Sequence, residues 1–93
     1  MTSTLKVSEL SANLKRKGFK EEQKDHKVYH FYYDGKLTDI WTKISHGERE
    51  IGLPLIIKMA KQLRLSKEEF IKFAKCTISE EEYVSMLHER NQL

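Results

Sequence analysis

Cysteine and proline are scarce in this chain of 93 residues, with one of each. A single cysteine, Cys76, cannot form an internal disulfide, and it excludes a zinc site built from four cysteines. One thiol is typical of a reducing compartment, so we predict a cytoplasmic protein in which Cys76 is a small buried apolar residue. The sequence also lacks a long linker or low-complexity tract, which indicates one domain over residues 1–93.

Long apolar runs and familiar catalytic signatures are missing as well. No stretch approaches the roughly 20 apolar residues of a membrane span, and the first residues lack the apolar segment of a signal peptide. A glycine-rich phosphate loop, a Gly-x-Ser-x-Gly elbow and a His-Glu-x-x-His helix are all absent from the sequence. We therefore expect no membrane contact and none of the enzyme classes that these motifs define.

Charge is unevenly distributed along the chain. Lysine and arginine number 17 against 14 acidic residues, which gives a net charge of +3. Residues 1–64 carry a net charge of +5, and residues 65–93 carry −2. An electropositive module with a less basic addition is one interpretation, and ordinary solvated helix faces are the other.

The first secondary-structure signal is helical. Residues 7–17 place apolar side chains at spacings of three and four, which predicts a helix with one face on a core. Three cations lie at its end, and we expect them to face water: Lys15, Arg16 and Lys17. Gly18 then allows the left-handed conformation that ends a helix.

Three strands are predicted next, over residues 19–22, 28–33 and 37–44. The second is dense in β-branched and aromatic residues, and Asp34-Gly35 suits a tight hairpin turn before the third. The short connections indicate an antiparallel meander. Side-chain alternation predicts three packing residues on one parity of the second strand: Tyr29, Phe31 and Tyr33.

Helices fill the rest of the chain. Residues 45–53 are predicted as a loop, and Pro54 is well placed to begin a helix that continues through residues 55–65. Ser66-x-x-Glu69 and Ser79-x-x-Glu82 are capping boxes, each of which predicts the start of a short helix. The sequence therefore predicts an α+β protein of order α-β-β-β-α with two additional short helices.

His26 is the leading candidate for chemistry. It lies in Lys24-Asp25-His26-Lys27, where the second strand begins. An imidazole has an ordinary pKa of about 6.5 and can transfer a proton in either direction near neutral pH, while flanking lysines attract a polyanion. This combination suits RNA cleavage, in which a base activates the 2′-hydroxyl. An exposed histidine in a turn is the alternative.

Two other histidines and the aromatic residues leave alternatives open. His30 shares strand parity with His26, so it is either an acid–base partner or a half-exposed strand residue. His46 follows the third strand and either joins His26 across the sheet end or caps a loop. A zinc site from all three is a further option, although no carboxylate has an obvious supporting place.

Trp41 has the opposite parity to Ile40 and Thr42, so one of these sets is exposed. Aromatic side chains on an exposed sheet face can stack bases, although packing in the core is favoured.

These patterns together resemble the HicA family of toxin–antitoxin toxins, small mRNA interferases with a double-stranded-RNA-binding-like α-β-β-β-α fold. The matching stretches begin at Ser8-Glu-Leu and include Leu14-Lys-Arg-Lys-Gly-Phe19, Lys24-Asp-His-Lys-Val-Tyr-His-Phe31, Ile44-Ser-His-Gly47 and Gly52-Leu-Pro-Leu. The resemblance implies a HicA-like core over residues 5–65. A helical C-terminal extension over residues 66–93 is then left to cover the sheet or to support self-association as a homodimer.

The family's catalytic histidine belongs to a Gly-Ser-His triplet at the second strand, and His26 takes its position. Lys24 and Asp25 stand where the family has glycine and serine. Asp25 either opposes an approaching phosphate or orients His26. The resemblance implies an endoribonuclease that needs no metal or cofactor, and a HicB-type antitoxin as partner. The alternative is a noncatalytic RNA-binding or protein-interaction module on the same fold. The cations expected to contact RNA are Lys24, Lys27, Lys36 and Lys43, with Asp25, His30 and His46 as accessory residues.

Overall fold

A three-stranded antiparallel sheet organises the protein, seen in a computed structural model that describes residues 4–75 and 77–93. The elements, in chain order, are β1 (Leu5–Lys6), α1 (Val7–Arg16), β2 (Phe19–Gln23), β3 (His26–Tyr33), β4 (Lys36–Ser45), β5 (Glu50–Ile51), α2 (Leu53–Gln62), α3 (Lys67–Ala74) and α4 (Glu80–Glu89). The described part is therefore an α+β domain with four helices. The expectation for Cys76 lies outside the described residues.

The β3–β4 hairpin confirms the predicted turn. Asp34 and Gly35 have φ values of 54° and 75°, the left-handed region that a two-residue hairpin turn requires. The register of the two strands shifts between His30 and Tyr32, where β4 has two more residues than β3. The prediction that Tyr33 packs in the core is wrong: this residue ends β3 beside the turn, and 38% of it is exposed.

One face of the sheet is covered by helices. Tyr29 and Phe31 are fully buried there, as predicted, and β4 contributes Ile40 and Thr42 to the same side. Trp41 lies on the opposite side of β4 with 42% of its surface exposed. Of the two sets of alternating residues in β4, the one with Trp41 is therefore exposed and the one with Ile40 and Thr42 is buried. The structure consequently has a covered face and an open face.

Helices α3 and α4 complete this core. Phe73 and Tyr83 are fully buried, with ring centroids 4.8 Å apart, and the Tyr83 ring lies 5.2 Å from that of Phe31. The hydroxyl of Tyr83 donates a hydrogen bond to the carbonyl of Leu63 at 2.8 Å, and burial raises the pKa of this tyrosine. The helices α3 and α4 thus share one hydrophobic cluster with the sheet rather than lying apart from it.

Both predicted capping boxes are confirmed. The Ser66 hydroxyl accepts from the Glu69 N–H while the Glu69 carboxylate accepts from the Ser66 N–H, at 3.2 and 2.8 Å. Ser79 and Glu82 make the same reciprocal pair at the start of α4. Each pair satisfies two backbone donors that the first turn of a helix otherwise leaves free.

A two-strand ladder, which we call the clasp, joins β1 to β5. Leu5 pairs with Ile51 and Lys6 with Glu50, and the predicted loop over residues 45–53 therefore contains a short strand. The helix α2 follows at Leu53, one residue before Pro54. The clasp holds the chain before α1 against the chain before α2.

The end of α1 differs from the sequence expectation. Lys15 and Arg16 are exposed, but Lys17 is only 6% exposed, so the prediction that it faces water is wrong. Its ammonium donates to the carbonyl of Phe73 at 2.6 Å and lies 4.5 Å from the centroid of the Phe73 ring. Asn13 donates from its amide to the carbonyl of Ala74. We call these two contacts the α1–α3 cap.

The Lys17→Met variant tests this cap. It keeps the apolar stem of the side chain but leaves the buried carbonyl of Phe73 without the ammonium donor, so we expect the free energy of unfolding to fall by about 1–3 kcal/mol. Urea denaturation followed by circular dichroism measures the change. Lys15→Met on the exposed side of the same helix is the control and should change stability by less than about 0.5 kcal/mol. Equal stabilities of the two variants would contradict a role for the cap.

A second contact fixes α4 against α3. Arg90 donates to the Glu69 carboxylate at 2.6 Å and to the carbonyl of Arg64 at 2.8 Å. The hydrogen bond from Arg90 is the main reason that the pKa of Glu69 falls from 4.5 to about 2. Because the folded-state pKa lies below the unfolded value, this contact stabilises the fold above about pH 4.5 and is lost as the pH falls through about 2.

Glu69→Gln should therefore change the pH profile of stability. The variant can still accept the Ser66 N–H but cannot pair as an anion with Arg90, and at pH 6 we expect a loss of about 1 kcal/mol, a small value because both groups are partly exposed. The loss should disappear near pH 2, as measured by urea midpoints across the pH range. Glu68→Gln, at the neighbouring exposed carboxylate, is the control. A deficit that is the same at pH 6 and pH 2 would contradict the ion pair as its cause.

Candidate functional site

His26 lies in a cleft between one end of the sheet and α2. It is the first residue of β3, is paired in register with Ser45 of β4, and is half-buried. The cleft has a volume of about 200 Å³. The remaining side chains that line it are Lys43, Ser45, Leu55, Lys58 and Gln62.

The chemistry of the cleft favours an anion. Among the described residues that line it, Lys43 and Lys58 are cations and none is acidic. Gln62 is held in place because its amide oxygen accepts from the Thr42 hydroxyl at 2.7 Å. Two ammonium groups and an imidazole beside a partly enclosed space can bind a phosphate and exchange a proton with it.

The β2–β3 turn brings a second histidine towards His26. The Lys24 N–H donates to the carbonyl of His26 at 3.0 Å, which closes the turn. His46 lies with its Nε2 2.9 Å from the carbonyl of Lys24. Because a carbonyl can only accept, this Nε2 carries the proton. The geometry thus places His46 at the same end of the sheet as His26.

The other predicted cations are divided among three places. Lys24 is exposed in the turn, 3.4 Å from Glu22. Lys27 follows His26 directly and therefore faces the opposite side of β3, where it lines a different cleft with Arg49. Lys36 begins β4 at the hairpin, nine residues or roughly 30 Å from Ser45. Of the predicted cations, only Lys43 lines the cleft with His26.

Asp25 and His30 are near this cleft but outside its lining. Asp25 is exposed in the turn. His30 lies on the same side of β3 as His26 but four residues, or about 13 Å, further along the strand. Its ring lies 6.2 Å from that of Trp41, and its Nε2 is 3.6 Å from the Glu22 carboxylate. Within residues 4–75 and 77–93, no group of three or more His, Cys, Asp or Glu side chains is arranged to hold a metal ion.

Lys58 and Gln62 are site residues that the sequence analysis missed. Together with Leu55 they follow spacings of three and four in α2, so they lie on one face of the helix. This spacing was visible in the sequence. What the sequence did not provide is the packing of α2 beside β4, which turns that face towards His26.

A polar network lies on the covered side of the sheet. Tyr29 donates to the Glu21 carboxylate at 2.6 Å, and its hydroxyl lies 2.7 Å from that of Ser11. Burial raises the pKa of Tyr29 to about 12, and the hydrogen bond from Tyr29 lowers the pKa of Glu21. These groups satisfy one another and lie on the opposite side of β3 from His26, so we assign them to stability.

Two further observations bear on the class of protein. In the part of the chain that the structure describes, none of the helices combines the length and the apolar character needed to cross a membrane. Comparisons with protein families, with curated proteins and with solved structures found no match to this chain. The site must therefore be interpreted from its own residues.

Inorganic phosphate is a direct probe of the cleft. In a titration followed by NMR, we expect the largest shifts at His26 and Ser45, because their side chains border the space between the two ammonium groups. Replacing Lys43 and Lys58 together by alanine should weaken binding at least about tenfold, since both charge-assisted contacts are lost. Lys36→Ala, at the far end of β4, is the matched control. Equal effects of the two changes would indicate diffuse screening and contradict a defined anion site.

Proposed function

We propose that this protein is a metal-independent endoribonuclease of the HicA type, in which His26 acts as general acid or base. The observation that carries the proposal is the half-buried imidazole of His26 in a cleft with Lys43 and Lys58. A nucleophile, a base and a cation near the phosphate are the groups that RNA cleavage needs, and RNA itself supplies the nucleophile as its 2′-hydroxyl.

In the proposed reaction, His26 accepts the proton of the 2′-hydroxyl as that oxygen attacks the neighbouring phosphorus. The ammonium groups of Lys43 and Lys58 stabilise the negative charge that grows on the phosphorane oxygens. The bond from phosphorus to the 5′-oxygen then breaks, and that oxygen takes a proton from a lysine or from water. The products are a 2′,3′-cyclic phosphate and a 5′-hydroxyl end.

The element order supports the assignment to a double-stranded-RNA-binding-like fold. Apart from the two-residue strand β5 between β4 and α2, the elements from α1 to α2 follow the α-β-β-β-α order of the HicA resemblance, and His26 opens the second strand of the sheet. Asp25 departs from the family pattern, but it lies outside the lining of the cleft, and none of the described residues that line the cleft is acidic. We propose a cytoplasmic protein whose cleft a HicB-type antitoxin covers.

Substitution of His26 is the decisive experiment. Purified wild-type protein should cut a mixed-sequence RNA in the presence of EDTA, and His26→Ala should cut it about 10²- to 10⁴-fold more slowly, which is the usual contribution of a general acid or base. Cleavage is measured by gel, and the cyclic phosphate end is identified by mass spectrometry. In cells, expression of the wild type should arrest growth and expression of His26→Ala should not.

His88→Ala is the matched control, because His88 lies on α4 against Tyr33, with ring centroids 5.5 Å apart, and should leave cleavage unchanged. Cleavage that survives His26→Ala would remove this residue from the mechanism. Absence of RNA binding at about 50 mM salt would overturn the whole proposal.

A noncatalytic RNA-binding protein on the same fold is the second candidate. The observation that favours it is the replacement of the family's glycine and serine by Lys24 and Asp25 beside the histidine. This candidate predicts that the wild-type protein binds RNA but does not cut it. The binding should weaken steeply with salt, because phosphate contacts release counterions whether or not cleavage follows.

A further inference from the structure

The open face of the sheet carries aromatic rings that the core does not use. Trp41 projects from the middle of β4 with 42% of its surface exposed, and His30 is its register partner on β3. Tyr32 lies two residues further along the same side of β3. We call these three side chains the platform.

Positive charge accompanies the platform. The Lys20 ammonium lies 4.3 Å from the centroid of the Tyr32 ring, and Lys43 follows Trp41 by two residues on the same side of β4. Two carboxylates also lie near the platform: Glu22 is 3.6 Å from His30 and 3.4 Å from Lys24, and exposed Asp39 precedes Trp41 by two residues on β4. An exposed tryptophan beside two half-buried rings and two lysines is complementary to unpaired bases joined by phosphates.

A protein partner fits this surface less well. The centre of a protein interface is depleted in lysine and presents a continuous apolar patch. Here Lys20 lies against the Tyr32 ring, and Lys43 follows Trp41 by two residues. A nucleic acid is complementary to both the rings and the lysines, because its bases stack on the rings and its phosphates carry the opposite charge to the lysines.

The platform is also continuous with the cleft. Trp41, Lys43 and Ser45 alternate on one side of β4, and Ser45 lies in the cleft lining beside His26. Trp41 is therefore about 13 Å from the cleft end of the strand, the length of about four stacked nucleotides. One RNA strand can lie along β4 with a base at Trp41 and a phosphate near His26.

We propose that the platform binds an unpaired base of single-stranded RNA by stacking it on Trp41, a few nucleotides from the phosphate held in the cleft. This inference rests on the proposed function and adds a substrate class to it. The protein requires a single-stranded segment, because a base paired within a duplex cannot place its face on the sheet. His30 and Tyr32 border the stacked base, and Lys20 and Lys43 contact its phosphates.

The single tryptophan provides the measurement. A short single-stranded DNA is used first, because it lacks the 2′-hydroxyl and so binds without being cut by the proposed mechanism. We expect it to quench the fluorescence of Trp41 in the wild-type protein. Binding measured by anisotropy should weaken about 5- to 150-fold in Trp41→Ala, and Trp41→Phe should restore most of the affinity.

Ile57→Ala is the matched control, since Ile57 is also apolar, lies on α2 outside the platform and the cleft lining, and is 40% exposed, and it should change affinity less than twofold. Single-stranded RNA of the same sequence should bind like the DNA and be cut. A duplex RNA of the same length should bind at least about tenfold more weakly.

The platform, the proposed nuclease and the requirement for a single strand can each fail independently of the others. RNA cleavage without quenching, or equal affinity of the wild type and Trp41→Ala, overturns the platform and leaves the proposed nuclease in place. Quenching without RNA cleavage supports the platform and overturns the nuclease. Equally tight binding of duplex RNA overturns the single-strand requirement. Self-association that Trp41→Ala abolishes, with no effect of that variant on nucleic-acid affinity, overturns the platform and assigns the surface to a second copy of the chain.

Discussion

The packing of the helices depends on the contact between the end of α1 and the end of α3. The last carbonyls of a helix have no partner within it, and the aligned peptide dipoles give that end a partial negative charge. Lys17 supplies a donor and a positive charge to the carbonyl of Phe73, and Asn13 supplies a donor to that of Ala74. Both side chains are buried, so water is poorly placed to replace them. The α1–α3 cap therefore sets where α3 ends and holds it beside α1 on the same side of the sheet.

Because the helices pack on one side of the sheet, the residues that stabilise the fold are separate from the residues of the candidate site. The large, fully buried aromatic side chains of the described residues lie between the sheet and the helices, where Tyr83 contacts both Phe31 and Phe73. The open face and the sheet end do not have to contribute to this core. They can therefore carry a tryptophan, lysines and a histidine whose substitution costs little folding energy. In the proposed function, the side of the sheet that contributes least to the fold is the side that meets RNA.

Elements that depend on near neighbours were predictable from the sequence. The Asp34-Gly35 turn and the capping boxes at Ser66 and Ser79 act within four residues and occur as expected. Contacts between residues far apart in the sequence were not predictable. Lys17 shares its local pattern with its exposed neighbours, yet it binds a carbonyl 56 residues away. Lys58 joins the candidate site only because α2 packs beside β4. The prediction that groups Lys27 with His26 overlooks strand alternation, since consecutive strand residues face opposite sides and Lys27 lines a different cleft.

The clasp has a consequence for the order in which the molecule assembles. Leu5 and Ile51 are 46 residues apart, and the segment between them contains α1 and the whole sheet. Hairpins form within about 1–10 μs from local contacts, whereas closing a long loop is entropically unfavourable until other contacts shorten it. We therefore expect the sheet to form before the clasp fixes the start of α2. A chain at that stage presents His26 without the α2 wall of its cleft, so the capacity to hold a phosphate beside the imidazole arises late in folding.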